Sequence, residues 1–163
     1  MLQFRQATPH DSTALSELAA TTWRQFEGTI GADTWNMLSN ALSKVDYAAL
    51  AKDAFGVLCE DESKIVGMAF LVPSGHPTEI FPADWCYVRM VTVSDGYNGK
   101  GIGKALMTRC IEEARARGET IIGLHTSEFM NAARHIYEHL GFTVAKELHP
   151  RFGKRYWLYQ MDL

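Results

Sequence analysis

The chain has few cysteines, and they are too widely spaced for a disulfide framework or a metal-binding motif. Cys59, Cys86 and Cys110 are the three cysteines in 163 residues, an odd number without a CxxC pair. This usage predicts reduced and mostly buried thiols, which is typical of a cytoplasmic protein. No stretch approaches transmembrane length, and the first residues lack the apolar segment of a signal peptide. We therefore expect a soluble, cytoplasmic protein.

An excess of basic residues is also lacking. The formal net charge is −3 at pH 7, whereas proteins that bind nucleic acid or anionic membranes normally present a basic surface. Neither kind of partner is therefore expected. Hydrophobic residues make up 47% and charged residues 21% of the chain, which is typical of a folded protein. The length predicts one domain spanning residues 1–163.

Hydrophobic periodicity predicts an α/β (α+β) fold, with one mixed, mostly antiparallel sheet of about seven strands and about four helices. The segment from Trp85 to Leu124 reads as a strand, a helix and a parallel strand, which requires a right-handed crossover. Predicted helices begin near Thr8, near Trp35, after Gly103 and at Ala132. The predicted strands span residues 2–6, 55–59, 65–72, 85–93, 120–124, 143–146 and 156–161.

The most informative segment is a glycine-rich turn between a predicted strand and a predicted helix. Gly99, Gly101 and Gly103 alternate in this turn, and Lys100 and Lys104 stand beside them. Because glycines leave the main chain uncovered, successive N–H groups at a helix start can converge on an anion. The turn therefore predicts a site for a phosphate or a diphosphate.

Two other glycine-loop chemistries fit this turn poorly. A Walker A loop would need a glycine where Asn98 stands and a serine or threonine where Ala105 stands. A GxGxxG dinucleotide motif that starts at Gly99 would end on Lys104 instead of glycine. A protein that binds nucleotide phosphates is therefore only a third hypothesis.

The same segment resembles the acetyl-CoA motif of the GNAT superfamily of N-acetyltransferases. Val93 ends the strand, Gly101 and Gly103 hold the two glycine positions, and Asn98 stands where that family usually has arginine or glutamine. The resemblance implies acetyl-CoA as co-substrate and no metal. It implies cofactor contacts along the strand and around the turn, from Val91, Thr92, Val93, Asn98, Gly99, Lys100, Gly101, Ile102, Gly103 and Lys104.

A second segment is similar to another signature of that superfamily, A-x-x-x-Y-x-x-x-G-F. It runs from Ala133 to Phe142 and holds Tyr137 at its tyrosine position. The resemblance implies that Tyr137 touches the cofactor and acts as the general acid that protonates the departing thiolate. A packed helix tyrosine without proton transfer is the alternative. Asn131 lies one residue after the position of the family's usual asparagine, so a cofactor contact is not transferred to it.

The resemblance implies transfer of an acetyl group to a primary amine of a small molecule or peptide by direct attack. Glu79, Asp84, His125 and a water relay are candidates for the general base, and none is preferred. The alternative function is a non-catalytic acyl-CoA sensor or interaction module on the same fold. A homodimer is common in the superfamily and is one option here.

Two groups of side chains have an ordinary structural interpretation beside a functional one. Trp23, Phe26 and Trp35 either line the acceptor pocket or belong to the core, and the sequence does not separate the two. His135 and His139 have helical i, i+4 spacing, but no third ligand accompanies them. We interpret the two histidines as a solvated helix face.

Overall fold

Seven strands form one sheet in the computed structural model, which describes all residues from 1 to 163. The strand order is β1-β2-β3-β4-β5-β7-β6, and only the β4–β5 pair is parallel. This confirms the predicted fold class. The strands are β1 (Leu2–Gln6), β2 (Phe55–Asp61), β3 (Lys64–Val72), β4 (Cys86–Val93), β5 (Ile121–Ser127), β6 (Thr143–Arg151) and β7 (Lys154–Asp162).

Six α-helices connect and cover these strands, and two of them lie outside the predicted set. They are α1 (Ser12–Trp23), α2 (Glu27–Ile30), α3 (Ala32–Ser43), α4 (Tyr47–Asp53), α5 (Ile102–Ala116) and α6 (Asn131–Leu140). The unpredicted α2 and α4 are too short to show a helical period. The only local signal for α4 is Asp46, whose carboxylate accepts a hydrogen bond from the N–H of Ala49 at 3.0 Å. None of the helices has the length and apolar character needed to cross a membrane.

The two faces of the sheet are covered by different helices. On one face, α5 buries Leu106, Met107 and Cys110 against the sheet, and α6 packs beside it through Tyr137. On the other face, α1 and α4 bury Leu15 and Tyr47 in a second apolar cluster. The chain therefore has an α5–α6 face and an α1–α4 face, and these two names are kept below.

All three cysteines are buried and unpaired, as predicted. Burial raises the pKa of the Cys86 thiol and that of the Cys110 thiol to about 12. Burial also raises the pKa of the Cys59 thiol. Because a thiol reacts as its thiolate, none of the three is poised as a nucleophile at neutral pH.

The two parallel strands part in the middle of the sheet. Their pairing covers only Cys86 with Ile122 and Tyr87 with Gly123, although β4 continues to Val93 and β5 to Ser127. Met90 has a positive φ of 59° at the irregularity between β3 and β4, a conformation that is rare for a side chain of this size. Beyond Tyr87 and Gly123 the two strands are unpaired with each other up to their carboxyl ends, and this unpaired region is called the opening between β4 and β5 below.

Candidate active site

The start of α5 presents four main-chain N–H groups without an acceptor. Gly101 takes a left-handed conformation with φ of 77° and serves as the N-cap residue. The first hydrogen bond of the helix runs from Ala105 to the carbonyl of Gly101, so the N–H groups of residues 101–104 have no partner within the protein. Free amides and the helix dipole together make such a terminus attractive to an anion.

These amides border a cavity of about 410 Å³ between the glycine turn and α6. The side of the turn and β4 contributes Val93, Asn98, Gly99, Gly101, Gly103 and Lys104. The side of α6 contributes Ala132, His135, Ile136 and His139. The sequence did not identify these four residues as cavity residues, although their spacing from Tyr137 placed them on the adjoining turns of α6.

The glycines keep this cavity open. A Cβ atom on Gly103 would lie 3.1 Å from Cδ1 of Ile136, whereas a Cβ on Gly101 would meet nothing within 4 Å. Gly101 instead needs its glycine for the positive φ. The residues present therefore fit an anionic group that approaches the main chain closely, such as a diphosphate.

Three of the predicted cofactor residues have side chains that contact other parts of the protein. The Thr92 hydroxyl accepts a hydrogen bond from Nε1 of Trp23 at 3.4 Å on the α1–α4 face. Nζ of Lys100 lies 4.9 Å from the ring centroid of Tyr97, and the Ile102 side chain is buried in the core. The side chains of Thr92 and Ile102 are therefore engaged within the fold, whereas Lys100 is exposed beside Tyr97, which lines the cavity.

Tyr137 is buried on α6, with its ring centroid 6.1 Å from that of Phe142. No hydrogen bond within the protein engages its hydroxyl. Burial raises the pKa of Tyr137 above its ordinary value, so the hydroxyl keeps its proton at neutral pH. A protonated hydroxyl without a partner can donate to a departing thiolate, and the raised pKa makes it a weaker acid than an exposed tyrosine.

The three candidate bases differ in their surroundings. Glu79 and Asp84 are exposed in the loop before β4. His125 lies on β5, and its Nε2 is 3.2 Å from Nη1 of Arg151. A guanidinium only donates, so Nε2 uses its lone pair on Arg151 and the proton of the neutral ring stays on Nδ1. His125 therefore has no ring nitrogen with a free lone pair that could accept a proton from an amine in this arrangement.

The aromatic residues between α1 and α3 divide into two groups. Trp35 is buried with Ile30 and Leu38 and belongs to the core. Trp23 and Phe26 are half-buried, and the Phe26 ring lies 5.1 Å from that of Phe129 on the segment after β5. This pair covers the end of the α1–α4 face near the opening between β4 and β5.

His135 and His139 are exposed on α6 and line the cavity next to the glycine turn. The solvated face predicted for them therefore borders the candidate site. No group of three or more His, Cys, Asp or Glu side chains is arranged to hold a metal ion.

The fold and the site together define a class of protein that binds an anionic ligand at uncovered main-chain amides, next to two parallel strands that are only partly paired. Comparison with known families gives this class a name. The model of the Acetyltransferase (GNAT) family matches residues 14–142. The chain belongs to this family, which confirms the resemblance seen in the glycine turn and in the segment around Tyr137.

Curated relatives match only parts of the chain. Mycothiol acetyltransferase of Beutenbergia cavernae is 31% identical over 93 residues, which are 57% of this chain and 28% of that protein. L-amino acid N-acyltransferase MnaT of Escherichia coli is 33% identical over 70 residues, which are 42% of this chain and 40% of that protein. The chain therefore spans less than half the length of each of these relatives.

Solved structures share the fold over nearly the whole chain. PaiA N-acetyltransferase from Thermoplasma acidophilum, in complex with coenzyme A, superposes with a TM-score of 0.79 at 15% identity, over 100% of this chain and 99% of that one. YncA from Salmonella typhimurium, a structure with its cofactor acetyl-CoA, gives a TM-score of 0.71 at 22% identity, over 99% and 94%. At these identities the likeness concerns the fold.

Proposed function

We propose that the chain is an acetyl-CoA-dependent N-acetyltransferase that acts as a single domain over residues 1–163. The observation that carries the proposal is the row of four unpaired N–H groups at the start of α5, which borders the cavity next to α6. Family membership and the names of the matched relatives support the same activity.

The diphosphate of the cofactor binds these amides in our proposal. Each favourable contact between an anion and a helix start contributes about 0.3–1 kcal/mol, and more when it is partly buried. Lys104 adds a positive charge at the same cavity. Asn98, which replaces the family's usual arginine or glutamine, offers a shorter side chain, so the main chain supplies most of the binding.

The pantetheine arm continues along the part of β4 that β5 leaves unpaired. Val88 to Val93 have no partner on β5, so the main chain of Val91 and Val93 is available for hydrogen bonds with the amide groups of the arm. An extended ligand that pairs with a free strand edge is a recurrent binding mode. The thioester then reaches the opening beside Met90, where the α1–α4 face is accessible to an acceptor.

The reaction is a direct transfer. The neutral amine of the acceptor attacks the thioester carbonyl, the N–C bond forms, and the C–S bond breaks. Tyr137 protonates the departing thiolate, the nitrogen loses its extra proton to solvent, and solvent returns a proton to Tyr137 before the next turnover. Main-chain N–H groups of β4 stabilise the developing oxyanion. No cysteine takes part, because burial keeps all three thiols protonated.

Release of free coenzyme A thiol from acetyl-CoA tests the proposal. The assay uses a panel of amino acids, polyamines, simple amines and peptides, and mass spectrometry checks that the acetyl group is on nitrogen. We expect thiol release that depends on at least one amine. Binding of acetyl-CoA without release for any acceptor would instead identify a non-catalytic acyl-CoA sensor.

A further inference from the structure

Two arginines near the opening between β4 and β5 have no acidic partner. The structure contains ion pairs for Arg5, Arg117 and Arg155. Arg89 on β4 and Arg151 at the end of β6 are among the arginines that make none. Arg89 is half-buried without a side-chain hydrogen bond, whereas the half-buried Arg134 donates to the hydroxyl of Tyr159. Removing a guanidinium from water without a counter-charge is unfavourable, so an unpaired, half-buried arginine indicates a site for an anion.

His125 lies on the same face and between these arginines. The parallel register aligns Tyr87 with Gly123, so two residues further along each strand Arg89 and His125 project from the same face. Arg151 donates to Nε2 of His125 from the other side. The ring therefore carries its proton on Nδ1, and this buried atom has no hydrogen-bond partner.

A second buried donor accompanies the imidazole. The hydroxyl of Tyr47 is buried without a partner. Burial raises the pKa of Tyr47 to about 12, and the positive charge of Arg89 opposes this rise. Nearly all buried polar atoms in folded proteins have a partner. Unused donors on Arg89, His125 and Tyr47 thus lie on one side of the sheet, and of the three Arg89 is the one that lines a cavity.

Arg89 also lines a cavity large enough for a small acceptor molecule. The cavity has a volume of about 490 Å³ and lies between β4 and the helices α3 and α4, with Tyr87 and Leu50 among its apolar residues. Lys44 and His76 line it together with Asp46 and Asp53. The Asp46 carboxylate also caps α4, and the cavity therefore offers both signs of charge to a ligand.

The position of Arg89 connects this cavity to the reaction. It directly precedes Met90, the residue with positive φ at the irregularity between β3 and β4, and it lies two residues before Val91, whose main chain we assign to the pantetheine arm. A ligand anion held by Arg89 therefore keeps the rest of a short molecule near the thioester.

We infer that the acetyl acceptor is an amino carboxylate, a small molecule with both an amine and a carboxylate, and that Arg89 binds the carboxylate. The inference rests on the proposed N-acetyltransferase function and specifies its substrate class. The amine attacks the thioester as described above, and the carboxylate is unchanged by the reaction. Arg151 and the Nδ1–H of His125 add positive potential on the same side.

Matched acceptors test the inference. Leucine is compared with isoamylamine, and phenylalanine with phenethylamine and phenylalanine amide, at equal concentrations of the neutral amine. We expect kcat/KM to fall at least about tenfold when the carboxylate is absent, because a charge-assisted hydrogen bond is lost. Free amino acids are also compared with dipeptides, which separates a small-molecule site from a peptide site. Equal use of the acids and the simple amines overturns the inference and leaves the proposed function intact.

The variant Arg89→Met isolates the proposed contact, and Arg115→Met is its control. Arg115 is exposed in the last turn of α5 and makes no ion pair. We expect Arg89→Met to lower kcat/KM for leucine by about tenfold to a hundredfold. The value of kcat/KM for isoamylamine and the dissociation constant of coenzyme A should stay unchanged. Equal losses for both acceptors contradict a carboxylate contact.

A binding measurement is independent of turnover. N-acetylleucine and its uncharged analogue N-isoamylacetamide are titrated while NMR follows the main-chain amides of Leu50 and Tyr87, which line the cavity with Arg89. We expect a saturable shift for the acid alone, which Arg89→Met removes. If this shift occurs but no amine is acetylated, the proposed function fails and the carboxylate site stands. If the acid causes no shift, the carboxylate site is refuted.

Discussion

The α-carbon of Gly103 faces Ile136 so closely that an added Cβ would lie 3.1 Å from its Cδ1 atom. This contact joins the start of α5 to α6 across the cavity that we assign to the diphosphate. We predict that Gly103→Val weakens coenzyme A binding at least tenfold, which corresponds to about 1.4 kcal/mol. The added side chain pushes Ile136 away or fills the cavity. Isothermal titration calorimetry measures the effect.

Gly28→Val is the matched control for this substitution. Gly28 is exposed in α2, and a Cβ there would meet nothing within 4 Å. The control is expected to keep the affinity of the unaltered chain. If Gly103→Val also keeps that affinity, the cofactor does not occupy this cavity.

Tyr137→Phe is predicted to reduce kcat by about a hundredfold or more, as expected for loss of a general acid. The ring is kept, so its packing against Phe142 and the dissociation constant of coenzyme A should change little. Steady-state rates with an active amine, together with calorimetry, separate the two quantities. Full activity in the variant would remove the acid role and leave Tyr137 as a packing residue.

Thr92→Val is predicted to leave coenzyme A affinity unchanged, because the Thr92 side chain bonds Trp23 on the α1–α4 face. The Thr92 hydroxyl also donates to the carbonyl of Met90 at 3.2 Å, so the variant should lose about 1–3 kcal/mol of unfolding free energy, the usual contribution of two hydrogen bonds. Calorimetric titration and urea unfolding measure the two effects. A large loss of affinity would show that the hydroxyl contacts the cofactor after all.

His125 should make stability dependent on pH. Burial, with smaller contributions from Arg151 and Arg89, lowers the pKa of His125 to about 4, whereas an unfolded histidine has a pKa of about 6.5. As the pH falls from 6.5 towards 4, the unfolded chain therefore binds a proton that the folded chain does not, and folding is penalised. The penalty is on the order of 2–3 kcal/mol at the acidic end.

His125→Asn tests this effect because asparagine does not titrate. Urea unfolding at pH 7.5 and at pH 4.5 gives the free energy of unfolding at each pH. We expect the decrease between the two values to be smaller in the variant by the amount that His125 contributes. Identical decreases in the two proteins would mean that the imidazole is not buried as a neutral group.

The strand pattern and the glycine turn could be predicted because local chemistry determines both. Apolar runs such as Ile65 to Val72 are long enough to identify a buried strand, and alternating glycines before a helix are typical of a main chain left uncovered for an anion. The helices α2 and α4 could not be predicted, because four and seven residues are too few to display a helical period. Their formation depends on tertiary packing.

The direction of side chains was the least predictable part of the site. Thr92 was expected among the cofactor contacts, yet strand alternation places its hydroxyl on the α1–α4 face. The sequence does not single out Arg89 and Arg151, because their significance lies in the absence of an ion pair. That absence is a property of the folded chain, since residues far apart in sequence would have to supply the partner.

The central claim is that the main-chain amides at the start of α5 hold the diphosphate of the cofactor. Amide resonances in ¹H–¹⁵N spectra test it directly, with coenzyme A and pantetheine, which lacks the diphosphate, as the two ligands. The account predicts large downfield shifts of the Gly101, Ile102, Gly103 and Lys104 amides with coenzyme A and small shifts with pantetheine. Saturation with coenzyme A that leaves these four resonances unmoved would contradict it.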